Sequence, residues 1–142
     1  MARYCEAMSK ENIEIVHQVF DAFSRGDFDG VLRLCDENIV ITQPRELLDA
    51  PASQQHGHAG VLEAFAIWPE QWEDYRVESV EVLADPADLV VVASRQSGRG
   101  RQSGLEVTME FTFLFTVQGA KITRWRLFVD RAEALEAAGL SG

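Results

Sequence analysis

The stretch LEVTMEFTFLFTV, Leu105 to Val117, decides the fold. Its odd positions Leu105, Val107, Met109, Phe111, Phe113, Phe115 and Val117 are all apolar, whereas Glu106, Thr108, Glu110, Thr112 and Thr116 on its even positions are polar. Successive strand side chains point to opposite faces, so this pattern predicts a strand with one wholly apolar face. After a short turn the alternation resumes in KITRWRLFV, Lys121 to Val129, with Trp125, Leu127 and Val129 on odd positions. Two such runs joined by a tight connection predict an antiparallel pair whose odd faces meet the rest of the molecule. The other face keeps Leu114, Ile122 and Phe128 among threonines and charges. A mixed face of that kind suits contact with a second copy of the chain.

Working back toward the N-terminus, Ser9 is placed to cap a helix over about residues 10–25, since Ile13, Val16, Val19, Phe20 and Phe23 recur at helical spacing. Gly26 stops that helix, and Asp27 caps a second, shorter one carrying Val31, Leu32 and Cys35 before Asp36-Glu37-Asn38 breaks it. Ile39 to Gln43 alternates as a short strand ended by Pro44, and the residues from there through His58 read as a long loop. Val61, Leu62 and Phe65 make a third helical face. Trp68 precedes Pro69, which disfavours helical geometry and is expected to end or kink that helix. Tyr75 to Ala84 and Leu89 to Ser97 read as strands around the Asp85-Pro86 turn, and Gly98 to Gly104 links them to the final pair. The expected class is α+β: an antiparallel sheet with its helices segregated on one face.

The chain has 142 residues, enough for one core, and it is read as a single domain over residues 1–142. Thirteen Lys plus Arg against 23 Asp plus Glu give a net charge of −10. That balance opposes the attraction on which nucleic acids and anionic membranes depend, so neither is an expected partner. No run approaches the roughly 18 apolar residues of a spanning helix, and Met1 to Lys10 has no apolar segment followed by a small-residue cleavage site. A cytoplasmic location is expected. Cys5 and Cys35 have no metal or redox spacing, and His56-Gly57-His58 lacks companions to complete a metal site, so no metal and no cofactor is expected.

Four stretches carry a family resemblance: Glu11 to Val16, Phe23 to Gly30 with its Arg25-Gly26-Asp27 turn, His56 to Val61, and Phe128 to Leu135. In that order and spacing the chain resembles the SnoaL-like and ketosteroid-isomerase-like branch of the nuclear transport factor 2-like superfamily. The resemblance implies a curved sheet wrapped around an N-terminal helical corner, a cystatin-like cone with helices on the concave face, usually dimeric. It also implies an apolar pocket between sheet and helices. Aligned through Arg25-Gly26-Asp27 and Pro44, the position of the isomerases' carboxylate base falls on Gln43, and that of their tyrosine on Val19. Their late aspartic acid falls near Thr112 or Phe113. An amide cannot abstract a proton as a carboxylate does, and valine or phenylalanine offers no hydrogen to an enolate oxygen. The aspartate-arginine-aspartate set of related epoxide hydrolases is not matched either, because Trp125-Arg126 is followed by Leu127.

Expected pocket residues are therefore Val19, Phe23, Gln43, Trp68, Phe113, Trp125, Leu127 and Val129, around a small hydrophobic molecule of carbonyl, polyketide-like or terpenoid-like type. Weaker candidates for chemistry are His58 as a neutral base, Arg95 as an anion-recognising group at the pocket mouth, and Asp130 at the start of the terminal helix. Each has a plainer role beside it: a loop or cap residue for His58, a snorkelling strand end for Arg95, a helix cap for Asp130. Two functions remain open at this level. One is an isomerase, cyclase or hydratase, and the other is a non-catalytic binding or dimeric accessory module; a titrating side chain inside the pocket would separate them.

Overall fold

A computed structural model of the protein describes residues 2–43 and 53–139, with the side chains of residues 10–43, 54–64 and 72–139. Helix α1 spans Ala2–Ser24 and α2 Phe28–Leu34, followed by strands β1 (Cys35–Gln43) and β2 (Ser53–His56). Helix α3 spans Gly57–Gln71, strands β3 to β6 span Trp72–Ala84, Leu89–Gly100, Glu106–Gln118 and Lys121–Phe128, and α4 spans Arg131–Ala137. The strands form one six-stranded sheet in the order β2-β1-β6-β5-β4-β3. With the helices this is the α+β cone expected of the chain.

Several boundaries differ from the sequence reading. Ser9 does not cap α1, which runs through it. Cys35 begins β1 instead of ending α2, and Asp36-Glu37-Asn38 continue that strand, with Glu37 and Asn38 exposed while Cys35, Ile39 and Ile41 are buried. Of the expected long loop, residues 44–52 lie outside the described residues, whereas Ser53–His56 pair antiparallel with β1. Pro69 does not end α3, which extends to Gln71. The sheet is mixed: β1 runs parallel to β6, with Ile41 beside Trp125, and the other pairs are antiparallel. The reach from β1 through β2, α3 and three further strands before β6 permits the parallel pairing that a tight hairpin forbids.

On the concave face, Val16, Val19 and Phe20 of α1 join the core beneath the sheet. Phe20 meets Phe113 edge-on at 5.2 Å and Phe115 at 5.9 Å. Phe113 stacks on Phe115, and Trp125 meets Phe115 edge-on at 5.1 Å. These rings, with Val31, Ile39, Ile41, Val90 and Val92, make the main core. The convex face carries a second, smaller cluster of Val91, Leu114 and Ala134, because α4 folds back over it. Asp130 caps α4, its carboxylate accepting the Ala132 N–H at 2.8 Å.

That strap of helix changes the outer face. Leu114 is 3% exposed and buried by the chain itself. Ile122 is on the opposite side from the one its even number predicts, because a register shift between Thr116 and Val117 inserts one residue into β6 and turns Ile122 into the main core. Of the three residues expected to meet a second copy, Phe128 alone retains surface, and Arg126 lies over its ring at 5.1 Å. Among the described residues, no helix is long and apolar enough to cross a membrane.

Candidate functional site

Between α1, α3 and the concave sheet lies a cavity lined by Val19, Phe20, Phe23, Ile41, Gln43, Ala64, Gln96, Phe111, Phe113, Trp125 and Leu127. The volume open to the centre of a water molecule is about 40 Å³. By that measure a single water needs roughly 10–15 Å³, so the space holds on the order of three waters or part of one small organic molecule. Its walls are aromatic and aliphatic except at two points, Gln43 and Gln96, each 4% exposed.

Gln43 reaches the cavity because β1 alternates Ile39, Ile41 and Gln43 inward beside Trp125 of β6. Its Oε1 is buried and has no hydrogen-bond partner among the described residues. Leaving such an acceptor dry costs about 1–3 kcal/mol, which a guest or an ordered water would offset. Gln96 is different. It accepts a hydrogen bond from the Tyr75 hydroxyl and donates one from Nε2 to Ser94 Oγ at 3.1 Å. Ser94 Oγ in turn donates to the Ser79 main-chain carbonyl at 3.0 Å. Tyr75 packs edge-on against Phe23 at 6.2 Å, and burial pushes its phenol above the ordinary tyrosine range.

Six of the eight expected pocket residues line this cavity: Val19, Phe23, Gln43, Phe113, Trp125 and Leu127. Val129 does not. It lies just past the end of β6 and is 49% exposed, since the chain turns there into the α4 cap. Trp68 falls within α3, and its side chain lies outside the described residues.

The candidates for chemistry are not brought together. His58 is the second residue of α3 instead of preceding it, and its Nε2 lies 3.0 Å from the Cys35 carbonyl, tying α3 to β1. Arg95 is on the convex face, beside Glu110 and Arg131, because β4 has the opposite parity from the one its Leu89, Val91, Ala93 series suggests. Val90 and Val92 face Phe115 and Phe113, so even positions of β4 point inward. Asp130 is the α4 cap. The same parity explains why Gln96 escapes a sequence reading. The signal that finds it is the hairpin register, which sets odd positions of β5 beside even positions of β4.

Among the described residues, no group of three or more His, Cys, Asp or Glu side chains is arranged to hold a metal ion. Cys35 is a free buried thiol whose pKa burial raises to about 12, the nearby Lys121 charge acting weakly the other way.

A sequence model described as a SnoaL-like domain matches residues 16–125. No curated protein matches the chain in sequence. Among solved structures, the chain is similar to an NTF2-like protein of unknown function from Burkholderia pseudomallei, at 20% identity and TM-score 0.75, over 89% of this chain and 95% of that one. It is similar to TerC co-crystallised with polyporic acid, at 22% identity and TM-score 0.74, over 89% and 96%. It is also similar to a proposed polyketide cyclase from Xanthomonas campestris, at 17% identity and TM-score 0.74, over 87% and 93%.

Proposed function

The chain belongs to the SnoaL-like domain family, and we propose that it binds a small, uncharged, largely apolar molecule, of carbonyl, polyketide-like or terpenoid-like type, in the cavity between α1, α3 and the sheet. The observation that carries this reading is the Gln43 carbonyl oxygen, buried without a partner in a wall of aromatic rings. A ligand hydroxyl satisfies it, and the ligand's apolar body takes the place of water against Phe113 and Trp125. A charged ligand would lose its hydration to a lining that offers no opposite charge among the described residues.

The lining also favours binding over catalysis. General acid–base chemistry needs a titrating group within hydrogen-bond reach of the reacting atom, and the two polar residues of the described lining are both amides. Neither His58, Arg95 nor Asp130 lines the cavity. The likeness to a proposed polyketide cyclase supports aromatic polyketide-like compounds as a ligand class to try first. Because the space is narrow, a molecule of several fused rings would have to widen it, whereas a single ring with a short substituent requires less movement.

The test is a thermal-shift screen of purified protein against steroids, polyketide-like aromatics, terpenoids and short acyl compounds, with Trp125→Ala and Gln43→Ala alongside. A ligand that binds the native state raises the melting temperature with concentration. A rise in the wild type that both substitutions weaken supports the reading. Absence of any shift across all four classes would make the cavity a packing feature.

A further inference from the structure

The two cavity amides differ in how they are held, and one of them has a fixed direction. A primary amide offers one carbonyl oxygen and two N–H donors, and reversing it exchanges the two ends. For Gln96 the exchange is blocked at the far end of its hydrogen-bond chain. The Ser79 main-chain carbonyl can only accept, so the single hydrogen of the Ser94 hydroxyl is committed to it at 3.0 Å. Ser94 Oγ then has only acceptor capacity left for Gln96, which must present Nε2 there, as it does at 3.1 Å. The Gln96 oxygen is consequently turned to Tyr75, whose hydroxyl donates to it. One Nε2 hydrogen is used by Ser94; the second has no partner among the described residues, on a side chain that is 4% exposed and lines the cavity.

We propose that Tyr75 and Ser94 are positioning residues that lock Gln96 as a hydrogen-bond donor toward the cavity, making Gln96 the residue that selects a ligand bearing an acceptor oxygen, such as a ketone. This deepens the binding reading above and rests on it. Gln43, with no such chain, is free to serve either a donor or an acceptor. The pocket therefore has one directional contact and one adaptable contact, and the preference of the site as a whole comes from the directional one.

The surrounding sequence fits this role. Gly98, two residues beyond Gln96 on the same face, leaves room for the rings that carry the lock. A Cβ there would come within 3.1 Å of the Tyr75 ring and 3.3 Å of the Trp72 ring. Tyr75 and Trp72 lie 6.5 Å apart, and Tyr75 is braced on its other side by Phe23. A methyl group at residue 98 would push Tyr75 and weaken its hold on Gln96 without touching any polar atom.

The experiment uses three single-ring compounds of similar size: cumene, which forms no hydrogen bond, acetophenone, which only accepts, and 1-phenylethanol, which also donates. Binding is monitored by tryptophan fluorescence in the Gln43→Leu variant, which removes the adaptable amide. Acetophenone should bind roughly tenfold more tightly than cumene, the value of one net hydrogen bond. Adding Tyr75→Phe, or separately Gly98→Ala, should erase most of that ratio while cumene binding is unchanged. A purely structural role for Tyr75 would lower the affinity of all three compounds together and would overturn the proposal, as would an unchanged ratio in Tyr75→Phe. Binding of cumene and acetophenone with equal affinity before any change at Tyr75 would overturn it while leaving the cavity reading intact. Failure of the wild type to bind any of the three would overturn both.

Discussion

Gln43 and Gln96 are the same residue type, equally buried, in the walls of one cavity. Gln96 belongs to a chain of hydrogen bonds that runs from Tyr75 to the backbone of β3. The Gln43 oxygen makes no hydrogen bond among the described residues. The first amide is tied into the hydrogen bonding of the fold, and the second leaves a buried acceptor unpaired among the described residues. Buried polar groups left unsatisfied in a native structure call for an explanation, and the one proposed for Gln43 is a guest.

The largest expected effect is on the wall that both amides share. Trp125→Ala removes a ring packed against Phe113 and Phe115 and should destabilise the protein by about 3–5 kcal/mol and abolish ligand protection, readable in urea unfolding with and without ligand. The comparison itself is tested by giving both glutamines the same substitution. Gln96→Leu removes the acceptor of the Tyr75 hydroxyl's hydrogen bond and should cost about 1–3 kcal/mol. Gln43→Leu should be neutral or raise stability by about 1 kcal/mol, because an unpaired polar group is replaced by an apolar one of similar size. Effects of the same sign would break the distinction between them.

Smaller effects sharpen it. Tyr75→Phe should cost about 1 kcal/mol and change the alkaline limb of stability. Burial raises the Tyr75 pKa in the folded protein. Its contribution is therefore complete below the unfolded-state value of about 10 and is lost as pH rises beyond it. Melting temperature should fall more steeply above that pH in the wild type than in Tyr75→Phe. The smallest effect belongs to Asp130, the α4 cap far from either amide: Asp130→Ala should cost about 0.5–1 kcal/mol and leave ligand binding untouched.

How much of this is legible in the sequence depends on whether the two faces of a strand differ in polarity. On β5 and the inner part of β6 one face is apolar and the other polar, so parity alone assigns Phe113, Trp125 and Leu127 to the cavity. Gln43 is legible for the same reason, as the inward continuation of Ile39 and Ile41. On β4 both faces are buried, because α4 covers the convex side, and Leu89 to Ala93 is a continuous apolar run with no parity to read. That is why a sequence reading puts Arg95 inside and misses Gln96. The Ile122 error is of another kind. A single inserted residue in β6 puts Ile122 and Trp125 on the same face despite their opposite parity, and nothing local in Lys121 to Arg124 announces it. The cap at Asp130 displaces Val129 from the pocket by turning the chain outward directly after β6.

The most direct test of a guest at Gln43 is a side-chain amide NMR titration of the wild-type protein with 1-phenylethanol, monitored at Gln43 and at the Trp125 indole. Saturable shifts are predicted at both signals with a shared dissociation constant, and the Gln43 shift should be lost in Trp125→Ala. Shifts confined to the outer face around Arg95, Glu110 and Arg131, or no saturable change at Gln43, would contradict it.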